Sequence, residues 1–158
     1  IDSLSYPIEL QKIWDNLQIY KFTNLQISQQ SCPMWVPLIE SGEHLYNGAD
    51  YFVDKYLASL FAQDPQIDTV VLGCTHYPLL KPKIDHWLSA RYPQAQSIAQ
   101  GDIVALSLRD YLSRHTAIRN ALTTGGTCEY LTTESAQKFT DSASVFLSSP
   151  VQAHHISL

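Results

Sequence analysis

Leu10, Ile13, Trp14 and Leu17 recur every three or four positions behind Ser5, placed to cap, and Pro7, placed in a first turn, which predicts a helix over residues 7–17. Leu25 and Ile27 then alternate with polar neighbours, the pattern of a short strand over 24–28. The apolar segment 32–40 carries both Pro33 and Pro37, and prolines set so close together predict a loop. After Asn47-Gly48 comes the clearest helix, with Ala49, Phe52, Val53, Tyr56, Leu57, Leu60 and Phe61 on one broad face that stops before Asp64-Pro65. Residues 67–73 form an aliphatic, β-branched run, read as a strand buried on both faces of a parallel sheet. The helix that follows starts at Pro82 or already at Pro78, buries Ile84, Trp87 and Leu88, and ends at Tyr92-Pro93.

Further along, Asp102 is placed to cap a helix with Val104, Leu108, Tyr111 and Leu112 inside and Arg114 and His115 at its end, where the dipole favours cations. Gly125-Gly126 breaks the chain before a strand expected over 128–132. Thr133 is then placed to cap a last helix with Ala136, Phe139, Ala143, Phe146 and Leu147 on its inner face, and a terminal strand over 151–158 follows Pro150. Helix, strand, loop and helix in this succession imply crossover units, hence an α/β fold around a parallel sheet.

Composition narrows the partners. At 45% apolar and 16% charged, the 158 residues suffice for one buried core, and a net charge of -5 provides no basic field for a nucleic-acid backbone or an anionic membrane. No apolar run approaches the roughly 20 residues that a bilayer requires, and Ile1 to Ser5 lack the flank of a signal peptide, so a cytoplasmic location is expected. The chain opens on Ile1-Asp2-Ser3 without a Met, as though cut from something longer. Cys32, Cys74 and Cys128 are odd in number and far apart, which suits free thiols and neither a zinc site nor a disulfide scaffold.

Ligands of open parallel sheets bind beyond the carboxyl ends of the strands, where loops are free to carry polar groups. Cys74-Thr75-His76-Tyr77 lies at such an end. In extended backbone, positions 74 and 76 point to the same side, so thiol and imidazole could address one ligand. A neighbouring His or a helix N-terminus turns a thiol into a competent base or nucleophile. The plainer alternative keeps Cys74 as a small buried hydrophobe with His76 as a hydrogen-bonded loop residue. A phosphatase loop fits poorly, since Pro78, Leu79, Leu80 and Lys81 provide neither glycines nor an Arg. No metal site is expected: His44, His86 and His115 stand alone and are read as surface residues, while His154 and His155 face opposite ways in their strand. Glu40, an acid closing an apolar segment, is a candidate partner for an imidazole. Cys32 and Cys128 are read as packing residues.

Leu72-Gly73-Cys74-Thr75-His76-Tyr77-Pro78-Leu79-Leu80 resembles the second cysteine motif of the cofactor-independent aspartate/glutamate racemase family. Cys32-Pro33-Met34-Trp35-Val36-Pro37-Leu38-Ile39-Glu40 resembles the segment found upstream of it in the same family. Tyr130-Leu131-Thr132-Thr133-Glu134, Phe139 and Phe146-Leu147 are similar to its last strand and helix. The resemblance implies parallel-sheet αβα layers in two similar domains, with a thiol from each acting on opposite faces of the substrate's α-carbon. It further implies that Cys74 is the second thiol, that Thr75 binds the amino acid, that His76 adjusts the thiol and contacts substrate, and that Glu40 orients His76. Inversion of a stereocentre needs an acid and a base on opposite faces, and tuned thiols serve as both.

The family's N-terminal half, with its glycine-flanked Asp-Ser motif, Pro-Tyr-Gly motif and first Ala-Cys-Asn-Thr cysteine, has no counterpart in this sequence, and residues 97–102 depart from the family's Ile-Asp pattern. The resemblance therefore implies a C-terminal portion: residues 1–100 as the second domain, nearly whole, and 101–158 as a segment returning to the first. The expected partners are glutamate and the missing half of the same enzyme, with a homodimer left open and no metal, flavin or pyridoxal phosphate. The expected activity is D-glutamate supply for peptidoglycan, with the isolated portion inactive. A non-catalytic small-molecule-binding domain and a racemase for aspartate or another amino acid are the alternatives.

Overall fold

In a computed structural model, residues 25–157 are described; the helix expected over 7–17 lies outside them. Residues 25–32 run in irregular backbone, so the alternation of Leu25 and Ile27 does not make a strand over 25–28, and both side chains are exposed. The expected loop is a helix instead: α1 spans Trp35–Glu40, and Pro33 lies in the turn before it. Pro37 is third in that helix, inside the first turn, where a missing N–H costs no hydrogen bond. A 3-10 turn, Glu43–Leu45, leads into α2, Gly48–Gln63, which buries Ala49, Val53, Tyr56, Leu57, Leu60 and Phe61.

Strand β1, Thr69–Leu72, continues through a 3-10 turn, Tyr77–Leu80, into α3, Lys81–Arg91, and the chain returns as β2, Gln96–Ala99. β1 and β2 are parallel, with Thr69 opposite Gln96 and Leu72 opposite Ala99. The pattern gave no sign of β2 because only Ile98 and Ala99 in it are apolar. Within β1, Val70 and Leu72 point into the core while Val71 is 59% exposed. The strand is thus covered on one face, not on both as its unbroken apolar run suggested.

The core joins Trp35 and Ile39 of α1 to Val53, Leu57 and Phe61 of α2, Val70 and Leu72 of β1, and Leu80, Ile84 and Leu88 around α3. Polar links clamp α2 to α3 at its edge. Lys83 pairs with Asp50 at 2.6 Å, while Asp54 accepts from the Trp87 indole at 2.8 Å and from Arg91. Asp85 on α3 accepts from Lys81 at 2.7 Å and from Ser97 of β2 at 2.5 Å.

Beyond Ala99 the burial changes. α4, Gln100–Arg114, begins directly at the end of β2, with Asp102 inside its first turn and making no cap bond. A short helix, α5, Thr116–Ala121, follows and was not foreseen. No residue of α4 or α5 is buried: of the expected inner face, Val104, Leu108 and Tyr111 are exposed and Leu112 is half-buried, and Ile103 and Leu106 elsewhere on α4 are exposed as well. β3, Tyr130–Thr132, pairs in parallel with β4, Ala153–His155, and α6, Ala136–Leu147, connects them. The cap of α6 is Ser135, whose hydroxyl accepts from the Lys138 N–H at 3.3 Å, two residues beyond the expected Thr133. Its inner face is made by Ala136, Thr140, Ala143 and Ser144, with Phe139, Phe146 and Leu147 exposed. Val151 N–H donates to Ser144 Oγ at 3.1 Å and Ala153 N–H to Thr140 Oγ1 at 3.0 Å, so two hydroxyls set the rotation of α6 against the last strand.

Candidate active site

β1 ends at Leu72, and the next residues turn at once. Cys74 C=O accepts from Tyr77 N–H at 3.2 Å and His76 C=O from Leu79 N–H at 3.1 Å, so the thiol and the imidazole come together through a turn and not through extended backbone. Cys74 Sγ lies 3.8 Å from His76 Nδ1, and both residues are half-buried, while Thr75 between them is exposed. The 3-10 turn opening at Tyr77 runs straight into α3, so the helical backbone begins three residues after the thiol.

The third group comes from α1. Trp35 is buried there, its indole donates to Phe52 C=O of α2 at 3.3 Å, and its ring stands perpendicular to Tyr77 at 4.8 Å. Anchored in this way, α1 presents Glu40 at its last turn, with Oε1 3.3 Å from His76 Nε2. Ser41 closes that helix by donating to Pro37 C=O at 2.8 Å. With its proton on Nε2, facing the carboxylate, the ring presents the Nδ1 lone pair to the thiol, and as an imidazolium it presents an N–H to each partner. The Glu40 side chain is 64% exposed, and a pair so wet contributes under about 1 kcal/mol to stability. What the contact offers is a negative charge beside one ring nitrogen. Glu40, His76 and Cys74, three residues singled out in the sequence, therefore form one line of contacts ending at a sulfur near open solvent. The arrangement can take a proton from the thiol, leave a thiolate to accept one from a substrate, and return it.

Reading the sequence missed a fourth contributor. Phe146, near the end of α6, stands with its ring centroid 5.1 Å from that of His76 and its plane at 85°. It had been assigned to the inner face of its helix, and its spacing alone carries no sign of this neighbour.

The other thiols have different surroundings. Cys32 is buried, its Sγ 3.5 Å from Gln30 C=O, and burial pushes it from 9.0 up to about 12, so it stays a packed thiol at neutral pH. Cys128 is exposed and precedes β3, against the expectation of a packing residue within a strand. His44, read as a surface residue, is instead only 3% exposed, with an Nδ1 that has no hydrogen-bond partner among the described residues. The 3-10 turn carries it inward, a placement that no periodicity reports. His86 and His115 are exposed, as expected. Among the described residues no three of His, Cys, Asp and Glu gather as metal ligands, and no helix is long and apolar enough to cross a membrane.

No protein-family model matches the chain. In sequence it is 36% identical over 133 residues to a glutamate racemase of Lactiplantibacillus plantarum, covering 84% of this chain and 47% of that protein. It is 31% identical over 159 residues to one of Listeria monocytogenes, covering 100% of this chain and 54% of that protein. The fold matches a glutamate racemase of Francisella tularensis, solved in complex with D-glutamate, with a TM-score of 0.70 at 24% identity over 90% of this chain and 52% of that one. The chain thus has the α/β fold of those structures and is similar in sequence to glutamate racemases along its whole length. It spans about half the length of the curated relatives it matches.

Proposed function

We propose that this chain supplies one of the two proton-transferring halves of a glutamate racemase, an isomerase that interconverts L- and D-glutamate without a metal or an organic cofactor. The observation that carries the reading is the line Glu40, His76, Cys74, which ends in a partly exposed thiol beside an exposed Thr75. In the forward sense the Cys74 thiolate accepts the α-proton from one face of the amino acid and becomes a thiol. A second thiol gives its own proton to the opposite face, so charge and protons balance over the two steps. The reverse reaction exchanges the two roles. His76, with Glu40 beside its Nε2, takes the Cys74 proton at Nδ1 and releases it to water while the second thiolate regains a proton from water, which resets both groups, and the Thr75 hydroxyl serves as a contact for the amino-acid backbone. The D-glutamate made in this way is destined for peptidoglycan, and the reaction belongs in the cytoplasm.

We assign the second thiol to the missing half: Cys32 is buried and stays protonated at neutral pH, and Cys128 is an exposed residue ahead of β3 in a context that does not match the first cysteine motif. We assign residues 1–100 to the second domain of the enzyme, and 101–158 to a segment that completes the first. The burial pattern supports that division. The described core lies between residues 32 and 88, whereas α4 carries an apolar stripe, Val104, Leu108 and Tyr111, that is exposed, and an amphipathic helix packs such a stripe against a core. Among the described residues the parallel sheets β1-β2 and β3-β4 have two strands each, although parallel sheets of this class are ordinarily longer and covered on both faces.

The test joins this chain to the N-terminal half of the Listeria monocytogenes relative and follows the loss of optical activity of L-glutamate. Racemisation that disappears in Cys74→Ser, with deuterium wash-out persisting for one enantiomer only, is the expected result. Racemisation unchanged by Cys74→Ser overturns the assignment. The 158-residue chain alone is expected to bind glutamate weakly and to turn over none.

A further inference from the structure

We infer that Phe146, some seventy residues beyond the thiol motif, is a positioning residue that holds the plane of the His76 imidazole; the inference rests on the thiol chemistry proposed above. The imidazole meets both polar partners along its edge, Glu40 through Nε2 at 3.3 Å and the thiol through Nδ1 at 3.8 Å. With one partner at each nitrogen, a turn about the Cβ–Cγ bond disturbs both contacts together. Neither partner holds the ring firmly. Glu40 is largely in water, where an ion pair is screened, and a sulfur at 3.8 Å is a weak partner.

The Phe146 ring is a third contact on the imidazole. A perpendicular ring pair is an arrangement that the aromatic quadrupole favours, and it is lost when one ring rotates by a quarter turn. Phe146 has no donor or acceptor, so it restrains the imidazole without drawing Nδ1 away from the sulfur. Cys74, from its own turn, and Glu40, from α1, are ionisable groups that meet this imidazole, and α6 contributes an uncharged ring.

The placement of that ring is itself determined. Ser144 and Thr140 accept from backbone N–H groups of Val151 and Ala153, which sets the rotation of α6 against the last strand. The helix then stops one residue after Phe146's neighbour Leu147, at Ser148, whose φ of 50° turns the chain away. The β3-α6-β4 unit is thereby coupled to the protonation state of a thiol in the turn after β1.

The experiment measures the pH-rate profile for alkylation of Cys74 by iodoacetamide in the 158-residue chain, resolved residue by residue by mass spectrometry, with exposed Cys128 as internal reference. His76→Ala is expected to slow Cys74 near neutral pH and to move its profile to that of an ordinary thiol. Phe146→Leu, which keeps bulk without a ring, is expected to produce a roughly two- to tenfold part of that slowing, the scale of one aromatic pair. Phe146→Tyr restores the wild-type profile, and Leu147→Ala leaves it in place. A Phe146→Leu profile superimposed on wild type, while His76→Ala shifts, overturns the inference and leaves the thiol chemistry standing. A His76→Ala profile identical to wild type overturns both. Should Phe146→Leu fail to fold, the unaltered chain decides: nuclear Overhauser contacts between the two rings across the reactive pH range support the inference, and their absence overturns it.

Discussion

Trp35 stands edge-on to Tyr77 with ring centroids 4.8 Å apart, and this contact fixes the distance between the helix that carries Glu40 and the turn that carries His76. Stability and chemistry separate across it. Trp35→Ala is expected to cost about 3–5 kcal/mol, as for other large aromatic truncations in a core. Glu40→Gln is expected to change stability by no more than about 0.5 kcal/mol, because the carboxylate is mostly in water. In the chain joined to its other half, Glu40→Gln nonetheless lowers turnover and shifts its pH profile, since an amide can support either tautomer of His76. Urea melts and pH-rate profiles of the two variants check both statements.

Cys32 predicts a pH effect whose sign follows from its burial. Its thiol titrates at about 12 in the folded chain against 9.0 when free, so above pH 9 the unfolded chain has released a proton that the folded chain retains. Stability therefore falls as pH rises from about 9 towards 12, and below 9 this group contributes no slope. Other groups titrate in the same range, so the difference between the wild type and Cys32→Ala is the quantity to follow by thermal melts. At pH 8 alkylation should mark Cys128 readily and leave Cys32 untouched.

The apolar stripe of α4 predicts opposite outcomes in two contexts. In the 158-residue chain, Leu108→Lys or Val104→Lys is expected to change stability by less than about 0.5 kcal/mol and to reduce binding of an apolar dye, because both side chains already face solvent. In the chain joined to its other half, the same substitutions bury a charge and are expected to cost more than about 2 kcal/mol. Equal, small effects in both contexts would count against the division at residue 100.

Ser148 holds φ at 50° where α6 ends, a conformation that glycine adopts without a Cβ penalty. Ser148→Gly is expected to raise the melting temperature by a few degrees, corresponding to a gain of about 1 kcal/mol less the added freedom of the unfolded chain.

Much of the fold was legible because α2, β1 and α3 obey local rules: one continuous stripe, one β-branched run and one proline near a helix start. The errors share a cause. Two prolines within 32–40 predict a loop only if their positions are ignored, since Pro37 falls in the first turn of α1, where it is harmless. β2 was passed over because its side chains carry little of the signal, its pairing with β1 being made by backbone. The inner face of α4 was assigned by period, yet period reports only that a side is apolar, and whether something covers it depends on distant parts of the chain. The site shows the same limit. Glu40, His76 and Cys74 were found by residue type and by likeness to a family, whereas Phe146 was not, because a ring against an imidazole leaves no mark in spacing.

The two short parallel sheets have a consequence for handling. Within the described residues, each ends in rows of backbone N–H and C=O groups that have no ladder partner, and Val71 adds a bare aliphatic side chain beside one of them. At high concentration such borders can zip onto those of other molecules. The net charge of -5 opposes this, so aggregation should accelerate as added salt shortens the reach of that repulsion. Dilute, low-ionic-strength buffers are the conditions under which the chain resists aggregation longest.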